Sequence, residues 1–405
     1  MCEDVKMLVI QLVMFFIVEA KKFIFEYPQD WVKKADHHNM IFLNNITTSL
    51  IELNLVVSLL PVSYPTYGIP RNNTSNPYLS FHSYENPSNI WSYKEAPIKG
   101  LYSIDPKGYG GWADIAQNLD KYKSEIEKIQ KPDDILEPYI QQLKKGLSKY
   151  KQSKAKVTLD DGFILFALQV RTDSVADHAY LDVVDVLNEV SLFAKKFQQK
   201  VVIKLHPKCD SELLKAQVFK LCQENKWLEV SNSDITQLIQ LSKSILACNS
   251  GVSLEALILN KKVYCFGQSE WSVITHCITQ IDQIKQVFTN DEQNYSLNLF
   301  QKKYLAYLLL CYWVRFDDQQ AIKNKLQRIV AENESLNHLN VEEVASLNLL
   351  EAQKQYTKKM KRINLIERDF EYQNKLLKDI RTNPFFMIVY FLKFNFIKLK
   401  NKIGL

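Results

Sequence analysis

Four polar clusters follow short apolar segments rich in β-branched residues. Gln169-Val-Arg171-Thr-Asp173-Ser174 ends the run over 162–170, Lys204-Leu-His206-Pro207 ends Val201 to Leu205, Asn249-Ser250-Gly251-Val-Ser253-Leu-Glu255 follows Ser244 to Cys248, and Gly267-Gln-Ser-Glu-Trp271 follows Lys262 to Phe266. The third cluster puts two hydroxyls and unpaired backbone N–H groups at the start of a helix, where the dipole is positive, and that is an anion site. Standing alone it reads first as an ordinary Asn/Ser cap. With Lys204 and His206-Pro207 at the end of a neighbouring strand, the combination describes a nucleotide site. Ser250, the Gly251 N–H and His206 or Lys204 would hold a phosphate, and Glu255, one helical turn on, would accept from a ribose hydroxyl. Neither G-x-x-x-x-G-K-[ST] nor G-x-G-x-x-G occurs, which argues against an NTPase and a dinucleotide enzyme. No Asp-x-Asp occurs either, so the expected donor carries one phosphate and needs neither a metal nor a cofactor.

Such clusters converge only if a sheet aligns them. Residues 157–300 alternate strand and helix, with helical periodicity over Ala176 to Phe197, Glu212 to Asn225, Ile235 to Leu241 behind Ser233 as cap, and Val252 to Leu259. That pattern predicts a parallel, right-handed doubly wound sheet with its ligand at the carboxyl ends of the strands. Residues 120–156, rich in Lys, Gln and Glu, read as exposed linking helices between this unit and an N-terminal half over 1–119. That half is expected to be smaller and atypical, because only Met7 to Val18, Met40 to Leu43 and Leu55 to Leu60 look strand-like. Residues 301–405 read as helices ending in a basic tail.

Composition sets the class. At 46% hydrophobic and 24% charged, the 405 residues belong to a folded protein of two or three domains. The seven cysteines form no C-x-x-C pair and predict reduced thiols. No apolar run reaches 18 residues, so a transmembrane span is not expected; Met7 to Val18, with acids before it and no small-residue cleavage site, reads as a buried element rather than a signal peptide. Residues 352–405 hold 13 Lys/Arg against 4 Asp/Glu. With Phe385, Phe386, Phe391, Phe394 and Phe396 this tail suits peripheral contact with anionic lipid, or a solvated helix packing on its own domain. Nucleic-acid binding is not expected, since no basic face interleaved with aromatics or recognisable module occurs.

The strings Gln169-Val-Arg-Thr-Asp173, Lys204-Leu-His206-Pro207 and Asn249-Ser-Gly-Val-Ser-Leu-Glu255-Ala-Leu257 resemble those of the capsule and lipopolysaccharide synthesis glycosyltransferases that use CMP-activated Kdo. Upstream, Lys94-Glu95-Ala96-Pro97 and Asp105-Pro-Lys-Gly108-Tyr109-Gly110-Gly111-Trp112 add to the likeness, which covers about residues 78–275. The resemblance implies a GT-B-like fold and transfer of Kdo, or a similar acidic sugar, to a cell-surface polysaccharide or glycolipid at the inner face of a bacterial cytoplasmic membrane. It implies that His206 and Ser250 hold the CMP phosphate and Glu255 the ribose, with Pro207, Lys204, Asn249, Gly251 and Ser253 completing the donor site. Retaining members use two carboxylates, and the best matches are Asp173 and Glu95.

The chemistry gives these groups work. Transfer of a keto sugar acid passes through an oxocarbenium-like state, which one carboxylate can trap as an adduct while a second handles the acceptor proton. Arg171 is a candidate for the sugar carboxylate or a partner for Asp173, with Gln169 and Tyr109 lining the sugar. The glycines around Tyr109 would allow either close backbone approach to a sugar or a tight turn anchored by Trp112. A CDP-alditol transferase of the teichoic-acid type, and a non-catalytic scaffold of polysaccharide assembly, are the alternatives.

Overall fold

The computed structural model describes residues 22–34, 37–63, 67, 76–87, 89–149, 159–209, 211–290, 295–336, 368 and 371. The expected apolar element at Met7 to Val18 and the expected membrane contact of the tail lie outside them. Among the described residues no helix is long and apolar enough to cross a membrane.

The described residues form two six-stranded sheets. The N-terminal one contains β1 (Lys22–Pro28), β2 (Val56–Val62), β3 (Tyr78–Phe81), β4 (Ile90–Glu95) and β5 (Leu101–Asp105), and the C-terminal one β6 (Ile164–Ala167), β7 (Val201–Lys204), β8 (Leu228–Val230), β9 (Ser244–Ala247), β10 (Lys262–Cys265) and β11 (His276–Cys277). The order in the second sheet is β11-β10-β9-β6-β7-β8, all parallel. In that doubly wound order the connections leave in opposite directions from β6 and β9, and the crevice between their carboxyl ends is where such sheets take ligands. Helices cover both faces, so β6, β9 and β10 are buried along their whole length, as strands of a covered parallel sheet must be.

The longer helices are α1 (His37–Glu52), α2 (Pro132–Lys144), α3 (Val183–Phe197), α4 (Glu212–Glu224), α5 (Ile235–Leu241), α6 (Gly251–Ile258), α7 (Leu299–Tyr307) and α8 (Gln319–Leu336). α3 begins where the Asp182 carboxylate accepts the Val184 N–H, and it buries Val186, Leu187, Val190 and Ala194 along one stripe. Its expected first turn at Ala176 is instead part of a 3-10 turn over Ser174–His178. The helix expected to be capped by Ser233 is capped by Asp234, which accepts from the Thr236 and Gln237 N–H groups.

The N-terminal sheet is fuller than the sequence showed. Its order is β12-β5-β4-β3-β1-β2, the last strand being β12 (Val314–Arg315), which pairs antiparallel with β5. Met40 to Leu43, expected to be a strand, lies inside α1, because Phe42, Leu43, Ile46 and Leu50 recur at helical spacing and bury one face. β1 carries no clean apolar alternation because Glu26 is buried within it, its carboxylate accepting from Ser80 Oγ and the Phe81 N–H, each at 2.8 Å.

Residues 301–336 do not form a unit of their own. α7 packs with Leu136 and Leu257 in the C-terminal core, whereas Ile322, Leu326 and Ile329 of α8 join Phe42 and Ile46 of α1 in the N-terminal core. The region over 120–149 is equally committed: Ile126, Ile129, Leu136 and Leu143 are buried against the same C-terminal core, so these helices are structural rather than an exposed linker.

Candidate active site

Between the two sheets lies a cleft. One wall comes from Lys94, Glu95, Ala96 and Pro97 at the end of β4, Ser103 of β5 and Tyr109-Gly110 beyond it; the other comes from the loops after β6, β7, β9 and β10. Asp173, Gln169, Lys204, His206, Pro207, Asn249, Ser250, Gly251, Glu255, Tyr109 and Glu95 all line it, and Ser148, Lys149, Glu270 and Trp271 join them.

The start of α6 forms one end of the cleft. Ser250 caps this helix, accepting the Val252 N–H at 3.4 Å. A Cβ on Gly251 would come within 3.2 Å of the Pro97 Cβ, so the glycine lets the N-terminal domain close over the helix start. His206 Nδ1 accepts the Lys208 N–H at 3.1 Å. The neutral ring therefore carries its proton on Nε2, and burial lowers the pKa of this imidazole despite the opposing charge of Asp173. The consequence is a neutral N–H donor on the cleft wall.

Glu255 is buried, and burial pushes its pKa up to about 7, offset in part by the Ser148 hydroxyl that donates to Oε1 at 2.6 Å. Its Oε2 is buried without a hydrogen-bond partner among the described residues. A buried acceptor left open at a cleft is what a ligand hydroxyl would complete.

The two candidate catalytic carboxylates come from opposite walls. Asp173 is exposed and caps the 3-10 turn of residues 174–178. Glu95, half-buried at the end of β4, has the Lys149 ammonium 4.0 Å from Oε2. Lys149 donates to the Ala96 carbonyl at 3.0 Å and the Glu95 carbonyl at 3.4 Å, and burial brings its pKa down to about 8. The Lys94 ammonium lies 4.0 Å above the Tyr109 ring, and burial lowers its pKa while Asp173, Glu270 and Glu95 oppose that shift. Glu270 Oε1 accepts the Gly110 N–H at 3.0 Å, and burial raises its pKa.

Some candidates serve the frame instead. Arg171 is not among the residues that line the cleft: it is buried and ion-paired with Asp182 at 3.1 Å. Ser253 is wholly buried, donating to the Ser250 carbonyl at 2.5 Å and accepting from Trp271 Nε1 at 2.8 Å, and so holds the cap rather than a donor. Lys204 lines the cleft, but its ammonium donates to the Ser233 carbonyl at 2.7 Å. Asn249 Nδ2 donates to the Val175 and Gln268 carbonyls and ties two loops to β9.

The glycine cluster resolves into packing. Cβ atoms on Gly108 and Gly111 would stand 2.9 Å from Tyr84 Cβ and 2.3 Å from the His178 ring, and Gly108 and Gly110 have positive φ. The segment is thus a tight turn pressed against the other domain, with Trp112 stacked on Tyr84 at 4.0 Å.

Lys94 and Glu270 sit inside strings that the sequence singled out, yet carried no assigned role there. Ser148 and Lys149 had no local signal, since they reach the cleft only through the packing of α2.

A model of the capsule polysaccharide biosynthesis protein family matches residues 115–317. No curated protein matches the sequence. Among solved structures, a beta Kdo 2,7 transferase, KpsC of Thermosulfurimonas dismutans, is 16% identical with a TM-score of 0.44, over 76% of this chain and 99% of that one. The beta Kdo 2,4 transferase of the same KpsC is 14% identical with a TM-score of 0.43, over 75% and 98%. The UDP-GlcNAc 2-epimerase of Methanocaldococcus jannaschii, in complex with UDP-GlcNAc and UDP, is 12% identical with a TM-score of 0.34, over 72% and 99%.

Proposed function

The chain belongs to the capsule polysaccharide biosynthesis family, and from that premise we propose that its cleft is the active site of a glycosyltransferase moving Kdo, or a similar acidic sugar, from a CMP-activated donor to a glycan or glycolipid. The observation that carries this reading is the meeting, in one interdomain cleft, of the Ser250 helix start and His206 with two carboxylates, Asp173 and Glu95, from opposite walls. A helix start and a neutral imidazole suit a single phosphate, and two carboxylates flanking one bond suit glycosyl transfer.

In the mechanism we propose, the CMP phosphate sits at the Gly251 N–H, with the Ser250 hydroxyl and His206 Nε2–H donating to it, while Glu255 Oε2 takes a ribose hydroxyl and Oε1 keeps Ser148. Asp173 attacks the anomeric carbon, and the bond to the phosphate oxygen breaks with its electron pair leaving on CMP. Glu95 then accepts the proton of the acceptor hydroxyl as that oxygen displaces Asp173, so that two inversions give retention. No metal enters this scheme.

Thermal stability with CMP, CDP-glycerol and UDP-sugars tests the donor. A selective ligand at 100 times its dissociation constant stabilises by about 2.7 kcal/mol, and we expect that shift with CMP. Stabilisation by CDP-glycerol alone, or by none of them, overturns the reading. Mass spectrometry after incubation with CMP-Kdo should find one Kdo residue on Asp173, most abundant in Glu95→Gln.

A further inference from the structure

We propose that Lys94 binds the carboxylate of the donor sugar and thereby makes the cleft selective for acidic sugars. The inference rests on the glycosyltransferase reading above and goes beyond it by naming the group that recognises the sugar's charge.

With Arg171 taken up by Asp182 outside the cleft, the side-chain cations lining the cleft are Lys94, Lys149 and Lys204, together with His206 when it is charged. Lys204 is committed to the Ser233 carbonyl, and Lys149 to the Glu95 and Ala96 carbonyls. Lys94 differs. Its ammonium rests on the face of Tyr109 at 4.0 Å, and among the described residues it makes no hydrogen bond or ion pair. A cation held on an aromatic face without a counter-ion loses hydration that nothing nearby replaces, and a bound carboxylate would supply the missing partner. The lowered pKa of this group has the same cause: burial outweighs the three acids around it.

Position strengthens the case. Lys94 and Glu95 are consecutive at the end of β4, and the charge of Asp173, across the cleft, acts on the Lys94 ammonium. In a 2-keto sugar acid the carboxylate is attached to the anomeric carbon itself. Bringing that carbon to Asp173 therefore brings a negative charge beside Asp173 and Glu95, where like charges repel unless a cation lies among them. Lys94 and Lys149 are the cations there, and Lys149 is already paired with Glu95 at 4.0 Å, which leaves Lys94 for the sugar carboxylate.

The test pairs a change in the protein with a change in the ligand. Calorimetric titration of the wild type, Lys94→Met and Lys94→Arg with CMP, CMP-Kdo and the carboxyl methyl ester of CMP-Kdo should give the following outcomes. Lys94→Met weakens CMP-Kdo by about 10- to 100-fold, the loss of one charge-assisted contact, and changes CMP by less than about twofold. The wild type weakens by a similar factor when given the ester. Lys94→Met no longer separates acid from ester, and Lys94→Arg recovers most of the acid's affinity.

Equal losses for CMP and CMP-Kdo, or discrimination against the ester that survives in Lys94→Met, overturn the assignment while leaving the glycosyltransferase reading in place. Should Lys94→Met fail to fold, the wild type and Lys94→Arg with acid and ester still decide: a wild type that binds both equally refutes the proposal. A wild type that binds neither CMP nor CMP-Kdo refutes the proposed function, and the role of Lys94 with it.

Discussion

The C-terminal wall of the cleft is made of strand-to-helix junctions whose polar groups mostly serve the backbone. Ser250 and Asp173 cap short helical turns, Asn249 ties loops together, and Lys204 holds a carbonyl. The N-terminal wall instead presents charged side chains with few committed partners: Lys94 on its aromatic face and Glu95 beside Lys149. A junction binds an anion with groups that local folding has already placed, whereas the opposite wall acquires its chemistry only when the domains meet. The phosphate end should therefore tolerate changes in the N-terminal wall, and the reacting end should depend on both.

Asp173→Asn tests that division most severely. It should lower donor hydrolysis and transfer by at least about 1,000-fold, as the loss of a nucleophile does, while calorimetry shows unchanged CMP affinity. A variant that loses CMP affinity in parallel would make Asp173 part of the phosphate site and erase the distinction between the two ends of the cleft.

Ser250→Ala and His206→Ala come next. Each should weaken CMP by about 10- to 100-fold, with little change in melting temperature for His206→Ala and a loss of roughly 1 kcal/mol for Ser250→Ala as its helix loses its cap. Wild-type CMP affinity in both variants would remove the nucleotide from this wall.

Glu255 sharpens the comparison through pH. Its pKa is raised by burial to about 7, against an unfolded value near 4.3. The folded state thus binds more protons between these values, so its contribution to stability is full below about pH 4.3 and is lost as pH rises through about 7. Glu255→Gln should flatten that part of the stability curve and raise stability at pH 8 by about 3–4 kcal/mol, read by chemical denaturation from pH 4 to 8. A variant with the wild-type slope would mean that Glu255 does not ionise in this range. Ser253→Ala should have the smallest effect, about 1–2 kcal/mol from leaving Trp271 Nε1–H without an acceptor, with CMP binding kept. A large loss of CMP affinity in a folded Ser253→Ala would return Ser253 to the donor site.

Much of this arrangement is legible in the order of the amino acids. Short apolar strands, periodic helices and polar residues just after the strands are local features, so the doubly wound C-terminal sheet and the crevice at its carboxyl edge can be read from residues 157–300. Arg171 shows where that reading ends: its spacing from Asp173 is local, but its partner, Asp182, is set by how the chain turns into α3. The N-terminal sheet is hidden for a related reason. β1 buries Glu26 among partners on β3, and β12 joins β5 across more than 200 residues, so neither strand carries its own signature.

The sequence by itself determined the β/α alternation, the helix starts that can hold an anion and the chemical types of the groups following each strand, because these depend on neighbours a few residues apart. Only the tertiary structure decided which charges remain available. Arg171, Lys204, the Asn249 Nδ2 group and Ser253 serve the frame, and Lys94, Ser148, Lys149 and Glu270 enter the cleft from several separate elements. Whether a polar group meets a partner or a cleft depends on the packing of two domains, and no spacing within one segment encodes that.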